Sequence, residues 1–507
     1  MSRQQLLTLI AAILGSTVVF LDSTVVNVAL PAIGGDLDAG LAGQQWVVEA
    51  YLLTLVSLLL VGGSLGDQFG RRRMFVAGLI GFGVTSALCA IAPSIEFLIV
   101  GRALQGIAGA LLVPGSLAIV AATFDGAARG KAVGTWTAWT GIATVIGPAG
   151  GGALIGALSW RAIFWVNLPL IAVTVALTLH SVRESRDKEA FRGIDWLGIG
   201  LSAAGLAGPV FALIEQPTRG WSDPVVWVPM IAGVICFALF VLWEARARHP
   251  MLELSLFKVR NFAVANLTTL AAYAGLIGGL FFVGLFLQQV VGYSALEAGL
   301  ATTPVSLILF LLSPRWGKLA SGAGPRLPMS LGPIVGGVGL IMLLRVGSDP
   351  SYATDVLPAI VVFGLGLSAT VAPLTATVLD SVEERHVGIA SGVNNGISRV
   401  AGLLAIAVLG AVISAKFGAS VGGVAGSNPL TASEPGASTS AFHLGVFIAG
   451  LLMILGGIVA GVGVENPRRR VAAVPAGGAA AAGECGHSPN ADCDSSQLHP
   501  ALTGDTT

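Results

Sequence analysis

The stretch "FLDSTVVNVALP", Phe20 to Pro31, puts an aspartate in the middle of an apolar run that begins near Leu6. With 54% hydrophobic and 11% charged residues and a mean hydropathy of +0.83, the chain is far from a water-soluble domain, which carries roughly 25% charge. A 507-residue soluble chain would also split into water-facing domains, whereas here only the last few dozen residues read as water-facing. The composition is that of an all-α protein that crosses a membrane many times. A formal net charge of zero gives no reason to expect a nucleic acid partner.

Apolar stretches long enough to cross a bilayer fall near residues 6–31, 45–66, 74–92, 95–120, 131–155, 161–181 and 194–215, and again near 224–244, 262–288, 297–314, 327–345, 354–379, 388–415 and 440–463. Fourteen spans place both termini on one side, and the charge pattern agrees. Of the 27 basic residues, only Arg161, Arg219, Arg345 and Lys416 lie in loops on the other side, and Arg102 and Arg399 lie within spans. The positive-inside rule then makes both termini cytoplasmic, in a multi-pass protein of the cytoplasmic (inner) membrane. The opening "MSRQQLLTLIAAILG" has the basic start of a signal peptide, but its apolar run continues past Asp22 without a cleavage site. Cys485 and Cys493 sit in an Ala/Gly/Ser-rich tail that reads as disordered and cytoplasmic, with irregular spacing for a metal.

Three stretches recur. "LGDQFGRRR" (Leu65 to Arg73) aligns with "LASGAGPRL" (Leu319 to Leu327), "GALLVPGSLA" with "SATVAPLTAT" (Pro114 on Pro373), and "RGKAVGT" with "RHVGIASG". Span n thus pairs with span n+8. This predicts a six-helix bundle over 1–193, an inserted two-helix hairpin with a loop over 194–260, a second six-helix bundle over 261–464 and the tail over 465–507. Parallel six-helix halves around a central site are the architecture in which rocking gives alternating access.

Asp22 lies about 4 Å from the middle of its span at roughly 1.5 Å per residue, where an ionised carboxylate costs roughly 2.5–3.5 kcal/mol on insertion scales. Either a water-filled path or a partner accompanies it, and a carboxyl balanced between burial and a nearby cation can take up and release a proton. The plainer alternative is a fixed ion pair that locks two helices. Arg102, with Gln105 one turn on, is the candidate partner. Glu49 is either a second protonatable site or a residue that reaches the interface, while Glu215 and Arg399 read as solvated helix-end charges. On a helical wheel Ser16, Ser23 and Asn27 share a ~40° arc and Asp22 points roughly 120° away.

"GGSLGDQFGRRR" joins glycines to a carboxylate and an arginine cluster, and "TGIATVIGPAGGGALIG" combines Pro148 with glycines that let a neighbouring helix approach closely. The sequence holds no HExxH and no phosphate-binding loop, so it points away from an enzyme and from a cofactor or metal, and energy would come from an ion gradient.

Taken together, "LDSTVVNVALP", "GSLGDQFGRRR", "RALQGIAGA", "GPAGG", "SWRAIFWVNLP" and "ASGVNNGISRVAG" resemble the major facilitator superfamily, in its fourteen-span drug:proton antiporter branch of multidrug and antibiotic exporters. The resemblance implies proton coupling at Asp22 and Arg102, with Glu49 as a further candidate. It implies a conformational latch at Gly63, Asp67, Gly70 and Arg71, and a hinge and seal at Gly147, Pro148, Gly151 and Gly152. The departures are Ala143 where that motif expects glycine, Ser321 where the first loop copy has Asp67, and no further acid in span 10, which argues against dicationic substrates. The implied function is proton-coupled efflux of a small lipophilic compound by a monomer. Ser23, Asn27, Gln105, Trp136, Trp139 and Phe282 are candidates to line its cavity. A dedicated exporter of one host metabolite and a non-transporting sensor or scaffold are the alternatives.

Overall fold

The computed structural model describes residues 1–186, 195–247, 252–383, 386–422 and 428–466. The tail from residue 467 on, with both of its cysteines, lies outside the described residues. The rest forms one compact unit, Met1–Asn466.

Among the described residues, thirteen helices are long and apolar enough to cross a membrane, and a fourteenth, α2, qualifies as a bent span. In chain order they are α1 Arg3–Asp36, α2 Leu41–Phe69, α3 Arg71–Ala90, α4 Ile95–Thr123, α5 Gly126–Ala157, α6 Ala162–Ser181 and α7 Trp196–Arg219. These are followed by α8 Pro224–Glu244, α9 Arg260–Gln289, α10 Ala295–Ala323, α11 Arg326–Arg345, α12 Tyr352–Asp380, α13 Val387–Ser420 and α14 Pro435–Gly463. The protein is a multi-pass, all-helical membrane protein. An even number of crossings puts Arg3 and Gly463 on one face, called here the terminal face, and the opposite one is the far face.

Helix packing repeats with the sequence. α2 packs along α4 as α10 packs along α12, α3 along α4 as α11 along α12, and α1 on α5 and α6 as α9 on α13 and α14. The repeat extends to single backbone groups. Gly70 and Gly324 end α2 and α10 with φ of 112° and 98°, values that favour glycine. Beside each, the amide of the second residue on donates to a side chain from beyond the bundle's last helix: Arg72 to Glu184 at 3.1 Å and Arg326 to Asn466 at 3.0 Å. α7 and α8 pack chiefly on each other, and α7 also rests on α2 and α13.

Small residues let the backbones approach. α2 bends by 50° between Leu59 and Val61, just before the Gly62–Gly63 pair, where a weakened side-chain lining permits a kink. A side chain at Gly62 would collide with the Ala110 carbonyl of α4. Gly147 and Gly151 of α5 abut Thr24 and Val25 of α1, and Gly152 abuts the backbone of Ala295 and Leu296 at the start of α10. The "GPAGG" motif therefore seats α5 on α1 and on the other bundle at once.

The α2–α4 contact is tested by overpacking. Gly62→Leu is expected to cost roughly 1–3 kcal/mol, read as a lower thermal unfolding midpoint in detergent. Gly156→Leu, where nothing lies within 4 Å, should stay within roughly 0.5 kcal/mol. Equal losses would contradict the close approach.

Candidate transport site

Asp22 and Arg102 meet in the interior of the first bundle. Arg102 Nη1 lies 2.6 Å from Asp22 Oδ2, with both side chains 1% exposed. Isolated, either charge would be prohibitive here; paired, each still needs its remaining hydrogen-bonding capacity filled. The surroundings fill it. Gln105 Nε2 and Asn167 Nδ2 donate to Asp22 Oδ1 at 3.1 and 3.2 Å. Arg102 donates from Nη1 to Gln105 Oε1 at 2.6 Å and from Nε to the Val47 carbonyl at 3.1 Å. The guanidinium lies 4.2 Å from the centre of the Tyr51 ring, a cation–π contact strengthened by exclusion of water. Asn167 also donates to Ser86 at 3.1 Å. One network thus ties α1, α2, α3, α4 and α6.

A cavity of about 450 Å³ lies between the bundles. Ser23, Thr24 and Asn27 line it from α1, and Ser391, Asn394 and Arg399 from α13. Towards the terminal face it reaches Leu379, near the end of α12. At the far face the bundles touch: α5 on α10 as above, Gln45 Nε2 donating to the Ile406 carbonyl at 2.7 Å, and Gln289 Nε2 to Gln44 Oε1 at 2.8 Å. α1 therefore turns its Ser23/Asn27 face to the cavity and its Asp22 face to the ionic network.

Several sequence expectations are corrected by these positions. Gln105 is buried in the ionic network and does not line the cavity. Trp136 donates its indole N–H to Ser16 at 3.1 Å, and Ser16 is itself held 2.6 Å from Ser116, so that end of the expected stripe faces α4 and α5. Trp139 is 54% exposed on the outside of the bundle, and Phe282 is packed in the core, while its neighbour Phe281 borders the cavity. Glu49 does not reach an interface. It is fully buried, and neither carboxyl oxygen has a hydrogen bond among the described residues. It shares the α2 face of Trp46 and Leu53, which packs on α7 and α13. Arg399 is not a solvated helix-end charge but a cavity residue near the middle of α13. Glu215 accepts from Trp46 at 3.1 Å and Arg219 at 3.2 Å.

The candidate latch is compact. Arg71 Nε donates to Asp67 Oδ1 at 2.8 Å, Gly63 sits against Pro114 and Gly70 against Glu184. Its counterpart in the second bundle is uncharged: Ser321 stands in place of Asp67 and, among the described residues, donates to the Lys318 carbonyl of its own helix. Asn167 and Tyr51 went unnoticed in sequence; the polar residue inside the apolar "FWVNLP" was the available signal for the first, and nothing marked the second.

The family model of the Major Facilitator Superfamily matches residues 12–406. The chain is 36% identical over 422 residues to multidrug resistance protein Stp of Mycobacterium tuberculosis, covering 83% of this chain and 78% of Stp. It is 33% identical over 411 residues to the tetracenomycin C resistance and export protein of Streptomyces glaucescens, covering 81% and 76%. With the multidrug efflux pump LfrA of Mycolicibacterium smegmatis it shares 34% over 420 residues, 82% of each chain. Among solved structures, an inward-facing, unoccupied bacterial homologue of the lysosomal transporter Spinster superposes with a TM-score of 0.62 at 18% identity, over 91% of this chain and 96% of that one. An auto-inhibited peptide transporter superposes with 0.65 at 13%, over 92% and 99%. By its family match and by this degree of identity, the chain belongs to the Major Facilitator Superfamily, a family of transporters.

Proposed function

We propose that the protein is a proton-driven exporter of lipophilic drugs or antibiotics, working as a monomer in the cytoplasmic membrane with its terminal face towards the cytoplasm. The observation that carries this reading is a fully buried acid–base pair one residue away, along α1, from the lining of a cavity between two bundles. The relatives' names, a multidrug resistance protein, a multidrug efflux pump and an antibiotic resistance and export protein, support efflux as the direction. The last of these also keeps a dedicated exporter of a single metabolite in view.

The coupling follows from what α1 touches. Ionised Asp22 holds Arg102 and receives amide donors from α4 and α6. Protonation removes the attraction and turns a satisfied acceptor into a poor one, leaving Arg102 charged in a dry interior. Two and three residues on, Thr24 and Val25 bear on Gly147 and Gly151, and the next residue, Gly152, bears on α10. A shift of α1 relieving the uncompensated Arg102 is thereby passed to the far-face contact. Opening that contact releases substrate, and deprotonation on the terminal side restores the pair. No bound cofactor is required: the membrane potential contributes roughly 2.3 kcal/mol per charge per 100 mV. Asp67 and Arg71 act as the latch of the first bundle, and buried Glu49 is a second candidate proton carrier. A scaffold without transport would leave the cost of burying this network without a return.

Reconstituted in sealed vesicles, the Asp22→Asn protein is expected to lose substrate-induced proton movement by at least about tenfold while still binding substrate; movement at the wild-type rate would refute the coupling. Stability separates the two carboxylates. Asp22→Asn, which strands Arg102, should cost roughly 3–5 kcal/mol, partly recovered in the Asp22→Asn/Arg102→Gln double variant. Glu49→Gln, which removes an unpartnered carboxyl, should leave the unfolding midpoint unchanged or raised, and a loss as large as that of Asp22→Asn would mean that Glu49 is paired.

A further inference from the structure

The charges that border the cavity are not balanced. Of the deep ionisable groups, Arg102 and Arg399 line it; no aspartate or glutamate does among the described residues. Arg102 is neutralised from behind by Asp22, and its donors are engaged by Asp22, Gln105 and Val47. Arg399 differs. It is partly buried, near the middle of α13, and its guanidinium has no hydrogen bond and no ion pair among the described residues. Glu49, on the face of α2 that packs on α7 and α13, does not line the cavity and has no hydrogen bond among the described residues. A guanidinium keeps its charge at every physiological pH, so this positive charge persists through the transport cycle.

We propose that the cavity selects lipophilic acids, compounds with an apolar body and one anionic group such as a carboxylate, and that Arg399 is the residue that binds the anion. This names the substrate class of the site above and rests on the export reading. The planar guanidinium offers paired N–H donors that match a carboxylate's two oxygens. The rest of the lining, from both bundles, suits the apolar body of such a molecule. Phe20, Leu52, Ile277 and Phe281 give apolar surface. Tyr51 and Asn27 each carry a buried oxygen without a hydrogen bond, the phenol oxygen and Oδ1, on side chains that line the same space. A cation would meet the unpaired Arg399 and no carboxylate among the described lining residues.

A matched set of probes tests this: 9-anthracenecarboxylate, 9-anthracenemethanol and protonated 9-(aminomethyl)anthracene, which share one ring system and differ in charge. Binding to the purified full-length protein at neutral pH is followed by calorimetry, and movement of the same probes is followed in inverted vesicles. The carboxylate should bind about tenfold or more tightly than the alcohol, and the amine most weakly. Arg399→Gln should remove that preference while leaving alcohol binding within about twofold, which also shows that the variant is folded, and Arg399→Lys should keep part of it. An anion preference that survives Arg399→Gln, equal binding of the three probes, or no binding of the carboxylate would overturn the inference. Arg399-dependent binding without movement of any probe would instead overturn the export reading and leave the anion site standing. Export of the probes without charge preference would do the reverse.

Discussion

A single ion pair, Asp22 to Arg102 at 2.6 Å, sets the terms for the first bundle. Two charges removed from water in mid-membrane persist only if each is paired and its other hydrogen-bonding capacity is filled. Here that requirement recruits Gln105 from α4 itself, and Asn167, Tyr51 and the Val47 carbonyl from two further helices. The pair fixes how α1, α2, α4 and α6 sit together, and through α1 it fixes which side chains face the cavity and where α5 can rest.

The second bundle repeats the packing but not the charge. α9 and α13 are joined by neutral bonds, Asn394 Nδ2 to Asn266 Oδ1 at 3.1 Å and to Thr269 Oγ1 at 2.7 Å. The turn at Gly324 copies that at Gly70, yet Ser321 stands where Asp67 pairs with Arg71. The buried acid–base pair thus lies in one bundle, while the other presents an unpaired cation to the same cavity. Under the proposed exchange, the first bundle would respond to protons and the second to substrate, with the far-face contacts at Gly152, Gln45 and Gln44 joining them.

Spans, the n/n+8 relation and the pairing of Asp22 with Arg102 were legible because each rests on strong one-dimensional signals: apolar length, charge bias, and rare charges inside apolar runs. The helical wheel also separated Asp22 correctly from Ser23 and Asn27, since both faces belong to one regular helix. Legibility ended where the neighbour decides. Phe281 and Phe282 are adjacent in sequence and both buried, but only Phe281 also borders the cavity; Trp139 points away from the bundle altogether. Glu49 is near the start of its helix when counted along the chain, yet α7 and α13 cover that face of α2. Arg399 was misplaced for a related reason: α13 extends from Val387 to Ser420, and the cavity reaches its middle.

The most direct measurement is the distance across the far face as a function of pH, read by pulsed electron spin resonance from labels at Leu158 and Lys416, one on each bundle, with the native cysteines replaced. If protonation of Asp22 opens the far-face contact, the wild-type distribution shifts to longer distances as pH falls, and the Asp22→Asn protein holds the longer distance at every pH. A pH-dependent shift of wild-type size in Asp22→Asn would contradict the coupling of that buried pair to the motion of the bundles.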